Sequence, residues 1–373
     1  MLFSTPPVTT DDHRVIGEID AFRTDLRFSL REPRRWRGQL RRNLRARAIR
    51  GSNSIEGYDV SLDDAVALLE GDEPLDADQL TTLEIIGYRN ALTYVQQLAG
   101  DPHFCLDESL IRSLHFMMLG HDLGKSPGQY RRGQIFVHDE ENASIVYEGP
   151  PATAVPDLMR ELTATLADDG ATPVLVRAAM AHLNLVMIHP FRDGNGRMAR
   201  ALQTLVLARD GILAPEFSSI EEWLGRNTQA YYDILAGTGA GSWQPERDTG
   251  AWIRFNLRAH HMQAQTVLRR IDEASRMYAV LDEILAAARL PERAAFPLYD
   301  ALIGLRVRRS VYEREAGIEP GTAARDLRFL VEHGLLRPVG ETRSRTYVGT
   351  DRLREIRNAI AATRKPLTEP YPR

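Results

Sequence analysis

Between His189 and Arg200 the chain reads HPFRDGNGRMAR, which brings an imidazole, a carboxylate, two glycines around an amide and two arginines into one short run. Gly194 and Gly196 bracket Asn195 just before a stretch with helical spacing. Small residues there let backbone N–H groups turn inward as a nest for phosphate oxygens, with the positive end of the helix dipole behind them. Arg197 and Arg200 stand three apart in the first turn, so both can face the same anion. Two cations at a helix start oppose the dipole, an arrangement that makes sense with an anion bound. Asp193 would place one hard oxygen ligand beside those phosphates, as Mg²⁺ requires. His189, at the lip, has the side chain suited to accept a proton near neutrality. The run therefore reads as a site for transfer from a nucleotide polyphosphate to a hydroxyl. A lone His-Pro or Asn-Gly would signify only a core histidine before a tight turn. Bulk packing does not demand two glycines, an aspartate and paired arginines together.

These residues need elements to hold them. The stretch VLVRAAMAHLNLVMIH (174–189) is apolar nearly all round, which marks a central helix, and Pro190 sets its boundary. ALQTLVLARDG follows as an amphipathic helix closed by Gly211. Apolar residues also recur at three and four in 62–70, 79–99 and 110–119. From Gly128 to Pro151 this pattern breaks. Two β-prone runs, Gln134–Val137 and Ser144–Tyr147, flank an acidic turn and predict a hairpin. Pro291 starts a compact unit in which 310–336 gives helix, tight turn, helix, with Thr322 as N-cap and Gly334 as stop. The Arg-rich turn segment 337–349 then predicts a two-stranded wing, completing a winged-helix pattern. The last residues, KPLTEPYPR, are expected to form a disordered tail.

The expected fold is mainly α: a helical bundle core with a β-hairpin flap, plus a C-terminal winged-helix domain. Its expected divisions are a helical region over 1–100, a core over 101–260, linking helices over 261–290, the winged helix over 291–350, and a helix and tail over 351–373.

The chain holds 47 basic and 51 acidic residues, but the near-neutral sum hides a pattern. Residues 1–50 carry 12 Arg against 6 carboxylates, and residues 301–373 carry 14 Arg and one Lys against 9. The centre is therefore acidic and both ends are basic. Lys125 and Lys365 are the only lysines. The lone Cys105 excludes an internal disulfide and any multi-cysteine metal site. No apolar run reaches the ~20 residues of a membrane helix. The start, MLFSTPPVTTDDHR, lacks the basic and apolar parts of a secretory signal, so a cytoplasmic protein without membrane attachment is expected. GHDLGKS (120–126) has one residue too few between its glycines for a phosphate loop and follows a helix instead of a strand. His182 is expected to pack, and His260 and His261 to be solvated on a polar helix.

HPFRDGNGRMAR matches the signature of the Fic (fido) family at every defined position, and the chain resembles that family over about residues 40–260. The resemblance implies protein AMPylation: AMP passes from ATP to a Ser, Thr or Tyr hydroxyl of a protein target, the enzyme itself included, and pyrophosphate leaves. It implies that His189 deprotonates the hydroxyl and that Asp193 holds Mg²⁺ (or Mn²⁺). Gly194, Asn195 and Gly196 would cradle the α- and β-phosphates, and Arg197 and Arg200 the β- and γ-phosphates. The hairpin sits where the family carries its flap, so Gln134, Ile135, Phe136, Val137 and Ile145 would dock a target segment as an added strand. SNSIEGYD (52–59) is similar to the family's inhibitory segment. Glu56 would pair with Arg200 and remove the clamp that ATP needs, Ser52 would supply the pattern's hydroxyl, and Gly57 would permit close approach. Tyr231 and Tyr232 are candidates for an adenine wall.

A second class of function stands beside this one: a winged-helix DNA-binding regulator whose core senses nucleotide. Arg325 and Arg328 on the second helix, with Arg343 and Arg345 in the wing, are placed for a groove and its phosphates. The same unit could serve a homodimer contact, and an enzyme that also removes AMP is a further alternative. The nine arginines of 31–50 read first as a solvated helix face pairing with the acidic centre.

Overall fold

Apolar residues three and four apart fold as helices over most of the chain. The computed structural model describes residues 1–371 except 32, 102, 140–143, 168–170, 210, 212–213 and 342–344. The first part supplies α1 (Thr10–Arg31), α2 (Arg37–Ser54), α3 (Leu62–Glu70), α4 (Gln79–Leu98) and α5 (Glu108–Leu119). A hairpin of β1 (Phe136–Asp139) and β2 (Ser144–Glu148) follows, then α6 (Val155–Ala167), α7 (Val174–Ile188) and α8 (Asn195–Arg209). Two short helices, α9 (Pro215–Ser218) and α10 (Glu221–Arg226), lead to α11 (Thr228–Gly239), β3 (Gly241–Ser242) and the long α12 (Gly250–Ala287). The C-terminal part is α13 (Ala295–Ile303), α14 (Arg309–Ala316), α15 (Pro320–Glu332), β4 (Leu336–Val339), β5 (Thr346–Gly349) and α16 (Asp351–Ala362).

The centre is α7 packed on α8. α7 is buried on nearly every face, as its composition requires. α8 differs from the amphipathic helix expected: its polar positions are buried as well. The reason is partnership. Gln203 accepts from or donates to His182, Asn256 and His260, and Thr204 Oγ1 donates to Glu221 Oε1 at 3.2 Å. Buried polar groups are tolerated when hydrogen-bonded.

β1 pairs antiparallel with β2, Phe136 opposite Glu148 and Val137 opposite Tyr147, and β3 adds parallel to the far side of β2. β1 is thus an edge strand. It begins two residues later than expected, because Gln134 spends its side-chain amide on Gly149 O (2.6 Å) while Ile135 O accepts from Gly149 N (3.2 Å).

A second apolar cluster joins Leu26, Trp36, Leu40 and Leu44 to Met277, Tyr278 and Leu281 of α12 and on to Leu298, Leu302, Leu327 and Leu330. The C-terminal elements therefore share a core with α1, α2 and α12. The arginine run contributes: Arg42, 6 % exposed, pairs with Asp300 (2.5 Å) and Glu315, and Arg41 with Glu216 (2.5 Å). Arg42 is thus a buried clamp on α2, while Arg31, Arg34, Arg35, Arg41 and Arg50 are exposed. Further along, Gly51 of α2 approaches Gly225 of α10 so closely that a Cβ at Gly225 would lie 2.7 Å from Gly51 Cα. α2 is held at both ends.

Three expectations change for physical reasons. His260 and His261 are buried, because α1 packs along α12 and brings Glu18 and Phe22 to His261, while Gln203 of α8 reaches His260. His261 Nε2 meets Glu18 Oε2 at 3.0 Å, and burial pushes His260 down to about 3. α15 starts at Pro320, not after Thr322; proline at the first helical position forgoes an N–H that has no helical partner. The tail is strapped down: Tyr371 donates to Asp12 Oδ1 (2.8 Å) and Glu369 pairs with Arg258 (2.7 Å). Among the described residues no helix is long and apolar enough to cross a membrane.

Candidate active site

α7 ends at Ile188, and His189 caps it in the left-handed region (φ 50°, ψ 58°), a conformation that costs a non-glycine residue energy. Arg131 holds it there: Nε donates to His189 O (2.8 Å), Nη2 to Pro150 O (2.6 Å), and its backbone N to Pro190 O (2.9 Å). His189 Nδ1 lies 3.0 Å from Val186 O. A carbonyl only accepts, so Nδ1 bears the proton and Nε2 is left as the acceptor. Burial lowers the imidazole's pKa, which keeps this basic form populated at neutrality.

The loop after His189 is closed by Asn195, whose Oδ1 accepts from Phe191 N and whose Nδ2 donates to Phe191 O, both at 2.9 Å. Its side chain is a staple, and only its backbone faces the nest. Gly194 takes φ +73°. His115 of α5 stacks flat on Phe191 with ring centroids 3.7 Å apart. Gly128 N donates to its Nδ1 (2.8 Å), so Nε2 carries hydrogen and donates to Asp193 O (2.9 Å). Burial pushes His115 down to about 4, and the ring stays neutral.

Asp193 Oδ1 accepts from Gly194 N (2.6 Å), while Oδ2 meets Lys125 Nζ at 2.8 Å. These contacts lower the carboxyl's pKa despite burial and favour the ionised form. Among the described residues no three His, Cys, Asp or Glu side chains gather as a metal cage. A single carboxylate fits Mg²⁺ held jointly with nucleotide phosphates and water, the usual mode for that ion.

Arg200, 1 % exposed, is enclosed by the segment 52–56: Nε donates to Ser52 Oγ (2.7 Å), Nη2 to Ser52 O (2.9 Å) and to Glu56 Oε1 (2.6 Å). Burial works against its charge, and the Glu56 carboxylate more than offsets that. Its Nη1 has no hydrogen-bond partner among the described residues. A Cβ at Gly196 would lie 2.5 Å from Glu56 Oε1 and 3.2 Å from Arg200 Nη1. The carboxylate of Glu56 thus lies directly against the glycine of the nest. Gly57 has a different part from the one expected: nothing lies within 4 Å of a Cβ there, and its φ of +82° shows that it serves the turn, not a close approach.

Arg197 also differs from expectation. It is not open to an anion: Nη1 donates to Glu84 Oε2 of α4 at 2.5 Å, and its guanidinium lies over the Tyr58 ring. Tyr231 is a core residue, its hydroxyl 2.8 Å from His182 Nε2, which removes it from an adenine wall. Tyr232 is 44 % exposed and donates to Ile55 O (2.5 Å), touching the segment that carries Ser52 and Glu56. On the hairpin Gln134, Phe136 and Ile145 are exposed, and Ile135 and Val137 half-buried. Arg325, Arg328 and Arg345 are exposed; Arg343 lies outside the described residues.

Glu84, Lys125, His115 and Arg131 belong to no motif. Two signals nevertheless existed. Glu84 is a carboxylate on the buried stripe of α4, and Lys125 is one of two lysines in a chain that otherwise uses arginine.

Residues 105–207, which span His115 to Arg200, match the Fic/DOC family. These residues are a Fic/DOC domain. The chain is 30 % identical over 213 residues to the protein adenylyltransferase Fic of Nematostella vectensis, covering 56 % of this chain and 45 % of that protein. It thus spans less than half of that relative's length. A Fic family protein from Desulfovibrio desulfuricans superposes with TM-score 0.59 at 21 % identity, over 93 % of this chain and 98 % of the other. Fic-1 from C. elegans superposes with TM-score 0.58 at 23 % identity, over 70 % and 73 %. These likenesses establish a Fic-type helical fold around the Fic/DOC domain.

Proposed function

We propose that the chain is an autoinhibited protein adenylyltransferase, passing AMP from ATP to a Ser, Thr or Tyr hydroxyl of a protein target or of itself. His189 Nε2 takes the hydroxyl proton, the oxygen attacks the α-phosphorus, and the bond to the bridging oxygen breaks to release pyrophosphate. Such chemistry is mostly positioning and charge stabilisation. Backbone N–H groups of 194–196 and the Arg200 fork receive phosphate oxygens. Bound at Asp193, Mg²⁺ would neutralise phosphate charge. The edge of β1 admits a target segment by main-chain pairing.

The observation that carries this reading is the Glu56 carboxylate, an anion lodged against Gly196 and bonded to Arg200. It stands where a phosphate would stand, so it and ATP compete for one guanidinium.

The test is label transfer from ATP marked at the α-phosphate, with Mg²⁺. Glu56→Gly should raise transfer by at least about tenfold, the worth of one charged hydrogen bond. His189→Ala in that background should lower it by about 10²–10⁴. Equal transfer by wild type and Glu56→Gly across ATP concentrations would sink the brake, and absence of label from every protein would sink the activity.

A further inference from the structure

Lys125 belongs to GHDLGKS, a string with the wrong spacing for a phosphate loop, yet the fold brings its ammonium into the site. Nζ lies 2.8 Å from Asp193 Oδ2 and 2.8 Å from Glu84 Oε1. Both Asp193 oxygens are therefore engaged, one by Gly194 N and one by this cation. The two carboxylates differ in freedom. Glu84 is fully buried and pinned on its other oxygen by Arg197. Asp193 is 38 % exposed on the open side. Lys125 itself is 23 % exposed and rises from a single 3-10 turn, Leu123–Lys125. Its stem is flexible and its head is a point charge, so it can leave one carboxylate and stay on the other.

We propose that Lys125 is a built-in cation occupying the Asp193 oxygen that a divalent ion needs, and that it retires onto Glu84 when metal and nucleotide arrive together. The proposal rests on reading Asp193 as a metal ligand. With Lys125 in place, Glu84 and Asp193 are balanced by Lys125 and Arg197, and a free divalent ion gains little there. Phosphate oxygens tip the exchange, because a triphosphate brings more negative charge than Arg200 alone can meet. Metal loading would then depend on nucleotide. An arginine at 125 would keep the charge but hold both carboxylates with its planar fork.

Mn²⁺ binding to the full-length chain, followed by the electron paramagnetic resonance signal of free Mn²⁺ with a non-hydrolysable ATP analogue present, tests this. All proteins carry Glu56→Gly so that the nucleotide enters equally. Lys125→Met should bind Mn²⁺ about ten- to a hundredfold more tightly, the worth of one hydrogen bond to a charged group. Lys125→Arg should bind no more tightly than the parent, with thermal melting confirming that each variant is folded. Unchanged or weaker binding by Lys125→Met, while Asp193→Asn still lowers affinity, would overturn the proposal alone. Unchanged binding by Asp193→Asn would overturn the metal assignment and the proposal with it.

Discussion

Arg200 and Arg197 stand one turn apart on α8, equally buried, each bonded to a carboxylate at 2.6 and 2.5 Å. The two surroundings nevertheless differ. Glu56 lies just past the end of α2, 25 % exposed, on a turn that Gly57 ends. Glu84 sits mid-helix in α4, wholly buried, and also receives Lys125 and the Tyr58 hydroxyl. An ion pair can be exchanged when water and substrate can reach one partner. When neither can be rehydrated, breaking the pair strands a charge in the core. The geometry that suits one pair to the proposed switch makes the other part of the framework.

Stability should separate the two pairs most sharply. Glu84→Ala should cost about 3–5 kcal/mol, the effect of leaving Arg197 buried without a partner. Glu56→Gly should cost about 1 kcal/mol, the range of partly exposed pairs. ATP with Mg²⁺ should then raise the melting temperature of Glu56→Gly, since a ligand that binds the native state stabilises it. Chemical denaturation measures both, and a larger loss for Glu56→Gly would reverse the assignment.

Asn195→Ala comes next. It removes two buried bonds to Phe191 and should cost about 1–3 kcal/mol, with a fall in label transfer that Asn195→Asp only partly restores. Loss of stability without loss of transfer would show that the loop's shape is set elsewhere.

The last effect is read in pH. Burial pushes His182 down to about 3. In the unfolded chain its imidazole takes up a proton near pH 6.5. Between those values the unfolded state binds more protons, so stability present above about 6.5 is lost as pH falls. One such histidine contributes up to about 1.4 kcal/mol per pH unit. Denaturation of His182→Phe between pH 6 and 4 should be less pH-dependent than wild type by that amount. An equal slope would mean that His182 titrates alike in both states.

Much of this was legible along the chain. Residues 189–200 needed only local rules: proline ends a helix, glycines open a nest, and arginines three apart share a face. The all-apolar run gave the central helix, and β-prone residues around an acidic turn gave the hairpin. The errors share a cause. His260 and His261 looked solvated because α12 reads as polar, and only α1 packed along it, with Gln203 reaching across from α8, shows that they are buried. Tyr231 looked available because a tyrosine pair carries no mark of which ring points inward.

By itself the sequence determined which groups could handle an anion and a proton, because those groups are neighbours along a helix boundary. Tertiary structure alone decided which of them are occupied. Glu56 reaches Arg200 from 144 residues away and Glu84 reaches Arg197 from 113. Whether such a pair is a brake or a beam depends on how much water each carboxylate keeps, and burial is a property of the packed whole.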